Sequence, residues 1–325
     1  MKVLFRCLLV LSFIPLACKK DKTIPTPDSI AQHSITAIAI DNSNTIWVGT
    51  DAGLYKSIDT VFSKVDIAIQ GAITSVYYEK GSSTLWIGTK SGLVKGNIGG
   101  SGLTISNIPS TSLSNPSIIS AYIDLGSRKW FGTNSGFTFN YNNLWKKDSF
   151  RVNNLNKKFP MDIEQTSINS ISSWDGDYYF ATNTYGLYRA TNFVDSIDAF
   201  SGATQWGSPY NGNAISDSMF VVFVDSKGRQ WMGGTKGIQV HTGHDPKANN
   251  SFYFDLLPNL RIHAISEASN GDIWIGTEGG IAIFNGVSWI IKTDKLPNLF
   301  ITALAFDKDG VAWIGTKKGI TFMKN

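Results

Sequence analysis

Residues 274–280 read Trp274-Ile-Gly-Thr-Glu-Gly-Gly280, and the phrase returns as Trp313-Ile-Gly-Thr-Lys-Lys-Gly319. Working outward, it recurs as Trp47-Val-Gly-Thr-Asp-Ala-Gly53, Trp86-Ile-Gly-Thr-Lys-Ser-Gly92, Trp130-Phe-Gly-Thr-Asn-Ser-Gly136 and Trp231-Met-Gly-Gly-Thr-Lys-Gly237. A degenerate copy, Tyr179-Phe-Ala-Thr-Asn-Thr-Tyr-Gly186, fills the one wide gap, so the anchors are spaced by 39, 44, 49, 52, 43 and 39 residues. Four strands of five or six residues with their turns need about 40–50 residues, the length of one propeller blade. The expected fold is all-β, a single seven-bladed propeller of about four-stranded blades over residues 34–325.

Each anchor has the same surroundings. A β-rich segment precedes it, as in Ile35-Thr-Ala-Ile-Ala-Ile-Asp41 and Ile301-Thr-Ala-Leu-Ala-Phe-Asp307, followed by turn sequences such as Asp307-Lys-Asp-Gly310. The Gly six residues after each Trp closes a turn and opens a third strand, and Trp145 and Trp289 mark a fourth, outer one. Small residues recur on the inner strand (Ala37, Ser75, Ser120, Ser170, Ala264, Ala303) and large rings on the next, as converging sheets require. Trp47, Trp86, Trp130, Tyr179, Trp231, Trp274 and Trp313 are therefore structural anchors, and the Gly-Thr-x-x-Gly phrases read as turn punctuation.

Composition narrows the function. The 325 residues are 42% hydrophobic and 17% charged with a net charge of +4, enough apolar material for a large core and too little basic charge for nucleic-acid binding. Both Cys lie in the first 18 residues, so the folded part has no disulfide, thiol nucleophile or Cys-ligated metal. Lys2 and Arg6 precede the apolar run Cys7–Ala17, too short to span a bilayer comfortably. Residues 1–17 are read as a signal peptide. Leu16-Ala17-Cys18 resembles a bacterial lipobox, although Pro15 stands where such boxes usually carry Leu, and Cys18-Lys-Lys-Asp-Lys22 resembles the start of Bacteroidetes lipoproteins. The resemblance implies an exported chain, lipid-anchored through Cys18, with Lys19 pointing to the outer membrane. The last copy stops after its third strand, so part of Lys22–His33 is expected to supply the outer strand of that blade. A three-stranded final blade is the alternative.

The phrase Ile-Trp-Ile-Gly-Thr-x-x-Gly, with Leu257-Pro-Asn259 and Leu296-Pro-Asn298 ahead of it, resembles the two-component regulator propeller repeats of bacterial periplasmic sensor regions. The resemblance covers about residues 34–325. It implies a sensor-type, ligand-binding propeller and suggests a glycan-derived ligand. Kinase and transmembrane segments are not part of this sequence, so the signalling output does not carry over.

No hydrolase elbow, metalloprotease helix, phosphate loop or dinucleotide fingerprint occurs, and no cofactor is expected. His241, His244 and Asp245 form the one compact His/carboxylate cluster; it reads as a solvated loop, with a metal site as the alternative, since it offers at most three ligands where three or four must converge. His263 takes a strand position held elsewhere by Thr or Asn and reads as structural, with ligand contact as the alternative. The two longest steps carry a basic stretch, with Lys146, Lys147, Arg151, Lys157 and Lys158, and an aromatic one, with Trp206 and Tyr210. If both are connectors at the axial opening, either the rings stack on a sugar and the cations receive an anionic group, or the two loops pack on one another as a plug or stay solvated. The leading expectation is a non-enzymatic envelope lipoprotein binding a ligand or a protein partner. A propeller lyase or hydrolase acting at the axial face and a structural component of an envelope assembly are the competing readings.

Overall fold

A computed structural model of the chain describes residues 30–58, 60–69, 71–100, 102–148, 166–190, 203–207, 215–243 and 250–324. Residues 1–29 are outside this set, so the signal peptide and Cys18 have no structural counterpart. The strands sort into four roles. Inner strands are Ile35–Ile40, Ile73–Glu79, Ile118–Ile123, Ile168–Trp174, Met219–Val224, Ile262–Glu267 and Ile301–Phe306. Anchor strands are Ile46–Thr50, Thr84–Thr89, Lys129–Thr133, Asp177–Thr182, Arg229–Gly234, Ile273–Thr277 and Val311–Thr316. Third strands are Gly53–Ile58, Leu93–Gly99, Phe137–Tyr141, Leu187–Ala190, Ile238–Thr242, Gly280–Phe284 and Gly319–Lys324. Outer strands are Val61–Lys64, Gly102–Asn107, Leu144–Asp148, Ala203–Gly207, Asn250–Tyr253 and Trp289–Lys292.

Each sheet is an antiparallel meander in that order, giving, among the described residues, six four-stranded blades and a seventh of three strands. Successive inner strands pack side by side around the ring, and the seventh closes on the first. The upper face is the one on which the inner strands begin and the Thr-x-x-Gly turns lie. The Asp-rich turns after the inner strands form the lower face.

The core lies between blades. None of the six anchor Trp is more than 4% exposed, and Tyr179 is fully buried. A ring of this size removes about 150–250 Å² from water, worth on the order of 4–6 kcal/mol as an upper bound. Trp130 shows the packing, lying within 4.5 Å of Phe139 and 4.7 Å of Tyr178 in the next blade, ring centre to ring centre.

The first Gly of each phrase is a packing device, which corrects the reading of the whole phrase as turn punctuation. A Cβ on Gly276 would fall 2.6 Å from Ile301 Cγ2, and one on Gly315 2.5 Å from Ile35 Cγ2. Those Ile residues open the inner strand of the following blade. The recurring small residue pairs opposite the same Gly, as Ala264 does with Gly276 and Ala303 with Gly315. Gly and small residue together make the hole that the next blade's Ile fills. Blade 4 has Ala181 in place of this Gly, and the following inner strand begins with Met219 instead of Ile; the two share one buried cluster. A flexible thioether accommodates the added methyl where a β-branched chain does not. The second Gly is the turn residue, with φ of +122° at Gly280 and +89° at Gly319.

The ring closes without a covalent link. Residues 30–33 turn, bury Ile30 against Trp313, Phe62 and Ile320, and present the His33 carbonyl to the Gly319 N–H at 2.8 Å. Gly237 makes the same bond to Leu260 at 2.7 Å. Residues 30–33 are thus the lead-in loop of blade 1 and not an outer strand of blade 7. Residues 22–29, the remainder of the segment expected there, lie outside the described residues.

Candidate functional site

The second residue of each inner strand is, in ring order, Thr36, Thr74, Ile119, Asn169, Phe220, His263 and Thr302. In blades 2 and 4 this side chain ties its blade to the next: Thr74 Oγ1 donates to the Ile118 carbonyl and Asn169 Nδ2 to that of Met219 at 2.8 Å. From blade 5 to blade 7 the pattern changes. His263 stacks on Phe220, with ring centres 5.0 Å apart and planes within 5°, and on Phe300 at 4.7 Å and 26°. The Arg261 guanidinium lies 5.3 Å from the Phe220 ring centre and Lys317 Nζ 4.7 Å from that of Phe300. Three blades thus contribute one continuous ledge, Arg261–Phe220–His263–Phe300–Lys317, at the upper mouth of the ring.

Glu278 organises its centre. The carboxylate Oε1 accepts from Arg261 Nε at 2.7 Å and is 2.9 Å from His263 Nε2. Burial holds the His263 imidazole below its ordinary pKa, against the pull of Glu278. Burial also acts to raise the Glu278 carboxyl, but hydrogen bonds from His263 and Arg261 outweigh it and keep the group below the usual carboxylate range. His263 is therefore neutral at pH 7 while Arg261 and Lys317 carry the positive charge. Arg261 is 46% exposed and Lys317 is exposed, so both cations face solvent. On the neighbouring rim, His33 meets Asp51 at 3.2 Å.

The residues singled out by sequence are dispersed. Lys146 and Lys147 belong to the outer strand of blade 3, paired with Phe139 and Thr138. Trp206 belongs to the outer strand of blade 4. These strands are at the rim of the ring, so the reading of both stretches as connectors at the axial opening is corrected for these three residues. Hydrogen bonding won there: the segments complete their sheets before leaving for the next blade. Arg151, Lys157, Lys158 and Tyr210 lie outside the described residues. His241 is fully buried, with Nδ1 3.2 Å from Asn250 Oδ1 and Nε2 3.1 Å from the Gly243 carbonyl. His244 and Asp245, the other two members of that cluster, lie outside the described residues. Among the described residues no group of three His, Cys, Asp or Glu converges as a metal site.

Sequence reasoning missed Arg261, Phe220, Phe300, Glu278 and Lys317. The signal was in the repeat columns: the residue ahead of the inner strand is Ser34, Ala72, Ser117, Ser167 and Ser218, then Arg261 and Phe300.

Residues 29–52, 256–279 and 295–318 match the model of the two component regulator propeller, so the chain carries repeats of this type. Solved structures share the fold. The extracellular domain assigned to a hybrid two component system of B. thetaiotaomicron superposes with a TM-score of 0.67 at 19% identity, over 90% of this chain and 40% of that one. A streptogramin B lyase gives 0.69 at 16% identity, over 91% and 95%. Virginiamycin B lyase from Staphylococcus aureus gives 0.66 at 13%, over 89% and 94%. The chain thus spans well under half of the sensor domain and nearly the whole of the lyases. At these identities the likeness is one of fold. No curated protein matches the sequence.

Proposed function

We propose that the propeller is a sensor-type binding module on the cell envelope, non-enzymatic and held by a lipid on Cys18, that takes an anionic, glycan-derived ligand at its upper mouth. The ledge from Arg261 to Lys317 carries this reading: two exposed cations held at fixed positions by aromatic stacking suit a carboxylate or sulfate on a sugar. Rigid donors on a rigid scaffold lose little entropy on binding. A glycan array probed with the purified protein tests it. Acidic glycans should be retained and their neutral counterparts not, with retention falling as salt rises. Equal binding of both classes would sink the anionic reading. Anchoring is tested separately by palmitate labelling, expected to vanish in Cys18→Ala.

A second reading, a lyase or hydrolase at the same mouth, is favoured by the 2.9 Å contact between His263 and Glu278, a neutral imidazole held by a carboxylate. Product formation from a retained glycan, abolished by His263→Gln, would replace binding with catalysis as the function.

A further inference from the structure

Two of the lower turns carry apolar residues where the others are polar. In blade 4 Ser173 pairs with Tyr178 as Ile40 does with Ile46 in blade 1, so Trp174 stands where Asp41 stands. The turn beyond it is also shorter. Three residues, 42–44, become two, Asp175-Gly176, with φ of +49° and +82°, the pattern of a tight type I′ hairpin. In blade 3 the turn acid is kept as Asp124, but Leu125 follows it and is fully exposed, where Asn42, Ser226 and Lys308 follow theirs.

These two departures meet. Between blades 7 and 1 the lower turns touch directly, with the Lys308 N–H donating to Asn44 Oδ1 at 3.1 Å. Between blades 5 and 6 the Ser226 N–H donates to Glu267 Oε2 at 2.7 Å. Between blades 3 and 4 ties are made from the strands: Tyr178 OH donates to Asp124 Oδ2, and Tyr122 and Ser173 share a hydrogen bond of 2.8 Å. Beside them opens a cavity of about 320 Å³, and Leu125 and Trp174 both line it, with Tyr122, Tyr178, Arg128 and Asp175.

The walls are held in place. A Cβ on Gly228 would fall 2.4 Å from Trp174 Cε2, so the indole rests on the blade 5 turn at a point that only glycine leaves open. Asp124 accepts from Arg128 Nε at 2.6 Å and from the Arg128 N–H at 2.9 Å, and the guanidinium lies 5.6 Å from the Tyr178 ring centre.

Charge and shape define the occupant. Arg128 already takes the place over Tyr178 that a cationic ligand needs. The lining holds two carboxylates, Asp124 and Asp175, against one guanidinium, a balance that disfavours an anion. The fitting ligand is neutral, with an apolar face for Trp174 and Leu125 and a rim that both donates and accepts hydrogen bonds. A pyranose has both. We propose that this cavity is a second binding site, separate from the upper mouth, that takes one neutral sugar ring. A single ring binds there on the order of millimolar, too weakly to be retained on a washed array.

NMR of the full-length protein in detergent, isotope-labelled at tryptophan, tests the site. The Trp174 indole N–H signal is identified by its loss in Trp174→Phe. Methyl glucoside, methyl galactoside and methyl mannoside are then titrated in turn. At least one should shift that signal in a saturable way, and the corresponding methyl glycoside of the uronic acid should bind several-fold more weakly. Leu125→Ser changes a fully exposed residue, so it should weaken the bound sugar about three- to tenfold at an unchanged melting temperature. Arg261→Ala with Lys317→Ala should leave the titration as it was. No saturable shift with any of the three sugars, or undiminished binding in Leu125→Ser, overturns the proposal. Loss of the shift in the Arg261 and Lys317 variant overturns it too, because Trp174 would then be reporting the upper mouth. Uronic acid binding as tight as that of the neutral sugar, or benzyl alcohol binding as tight as any sugar, overturns the assignment of a neutral sugar ring.

Discussion

Asp41 accepts a hydrogen bond from Trp47, Oδ2 to Nε1 at 2.9 Å, from a position six residues upstream. The pair recurs as Asp225 with Trp231 at 2.8 Å and Asp307 with Trp313 at 2.9 Å, and the other carboxylate oxygen receives the turn's N–H groups, as from Asp309 and Val311. The turn acid thus lets these three indoles be buried with their polar atom satisfied.

Blade 6 lacks this acid. Ala268 occupies the position, and Trp274 Nε1 is buried without a hydrogen-bond partner. Ala268→Asp should therefore stabilise the protein by about 1 kcal/mol, the bond gained less the cost of burying its charge. Calorimetry should show a melting temperature higher by about 1–3 °C. The reverse change, Asp307→Ala, should cost about 2–4 kcal/mol, because it strands one indole and two backbone donors at once.

The hole made by each anchor Gly leads to a paired prediction. Gly276→Ala should destabilise by about 1–3 kcal/mol through overpacking against Ile301. Adding Ile301→Met should recover most of that loss, since blade 4 and blade 5 already combine Ala181 with Met219. A double variant no more stable than Gly276→Ala would show that the methyl is accommodated by other means. Urea unfolding midpoints decide it.

The blade count, the strand roles and the buried Trp were legible in sequence because each is repeated, and repetition separates a packing rule from accident. The mouth was not, because its residues are single departures in columns scattered over three blades. Phe220, Arg261 and Lys317 are successively 41 and 56 residues apart in the chain, and only the ring brings their columns to one opening. Insertions drew attention instead, and two of them, around Lys146 and Trp206, hold outer strands. The role of the first Gly was hidden for a related reason: its constraint comes from the following blade, not from its own turn.

Acid should weaken the blade 6 mouth. His263 has a folded pKa below that of the unfolded chain, so the unfolded state takes up a proton first as pH falls through about 6.5, and stability drops. Glu278 has a depressed folded pKa, so its stabilisation is present above about 4.5 and is lost as pH falls through the folded value. Both slopes have the same sign. His263→Phe should flatten the stability profile below pH 6.5, and Glu278→Gln should lower the pKa of His263 further in an NMR titration, because the carboxylate that raised it is gone. An unchanged or higher His263 pKa would contradict the pairing.

Two locations compete for the ligand, and substitution separates them. If the mouth binds, Arg261→Ala with Lys317→Ala removes both exposed cations and should weaken an acidic glycan at least tenfold, since charge-assisted bonds are worth about 1.5–3 kcal/mol each. Arg261→Ala also takes one of two hydrogen bonds from Glu278, so the variant's melting temperature must be measured beside its affinity. Trp206→Ala with Tyr210→Ala should leave that affinity within twofold, because Trp206 belongs to an outer strand far from the inner strands that frame the opening. The opposite result, loss with Trp206 and Tyr210 and none with Arg261 and Lys317, would move the site to the rim of blade 4. Stacking of rings on a sugar face would then be the recognition chemistry, and the affinity should be nearly indifferent to salt. Titration at two ionic strengths distinguishes the two chemistries even before any substitution is made.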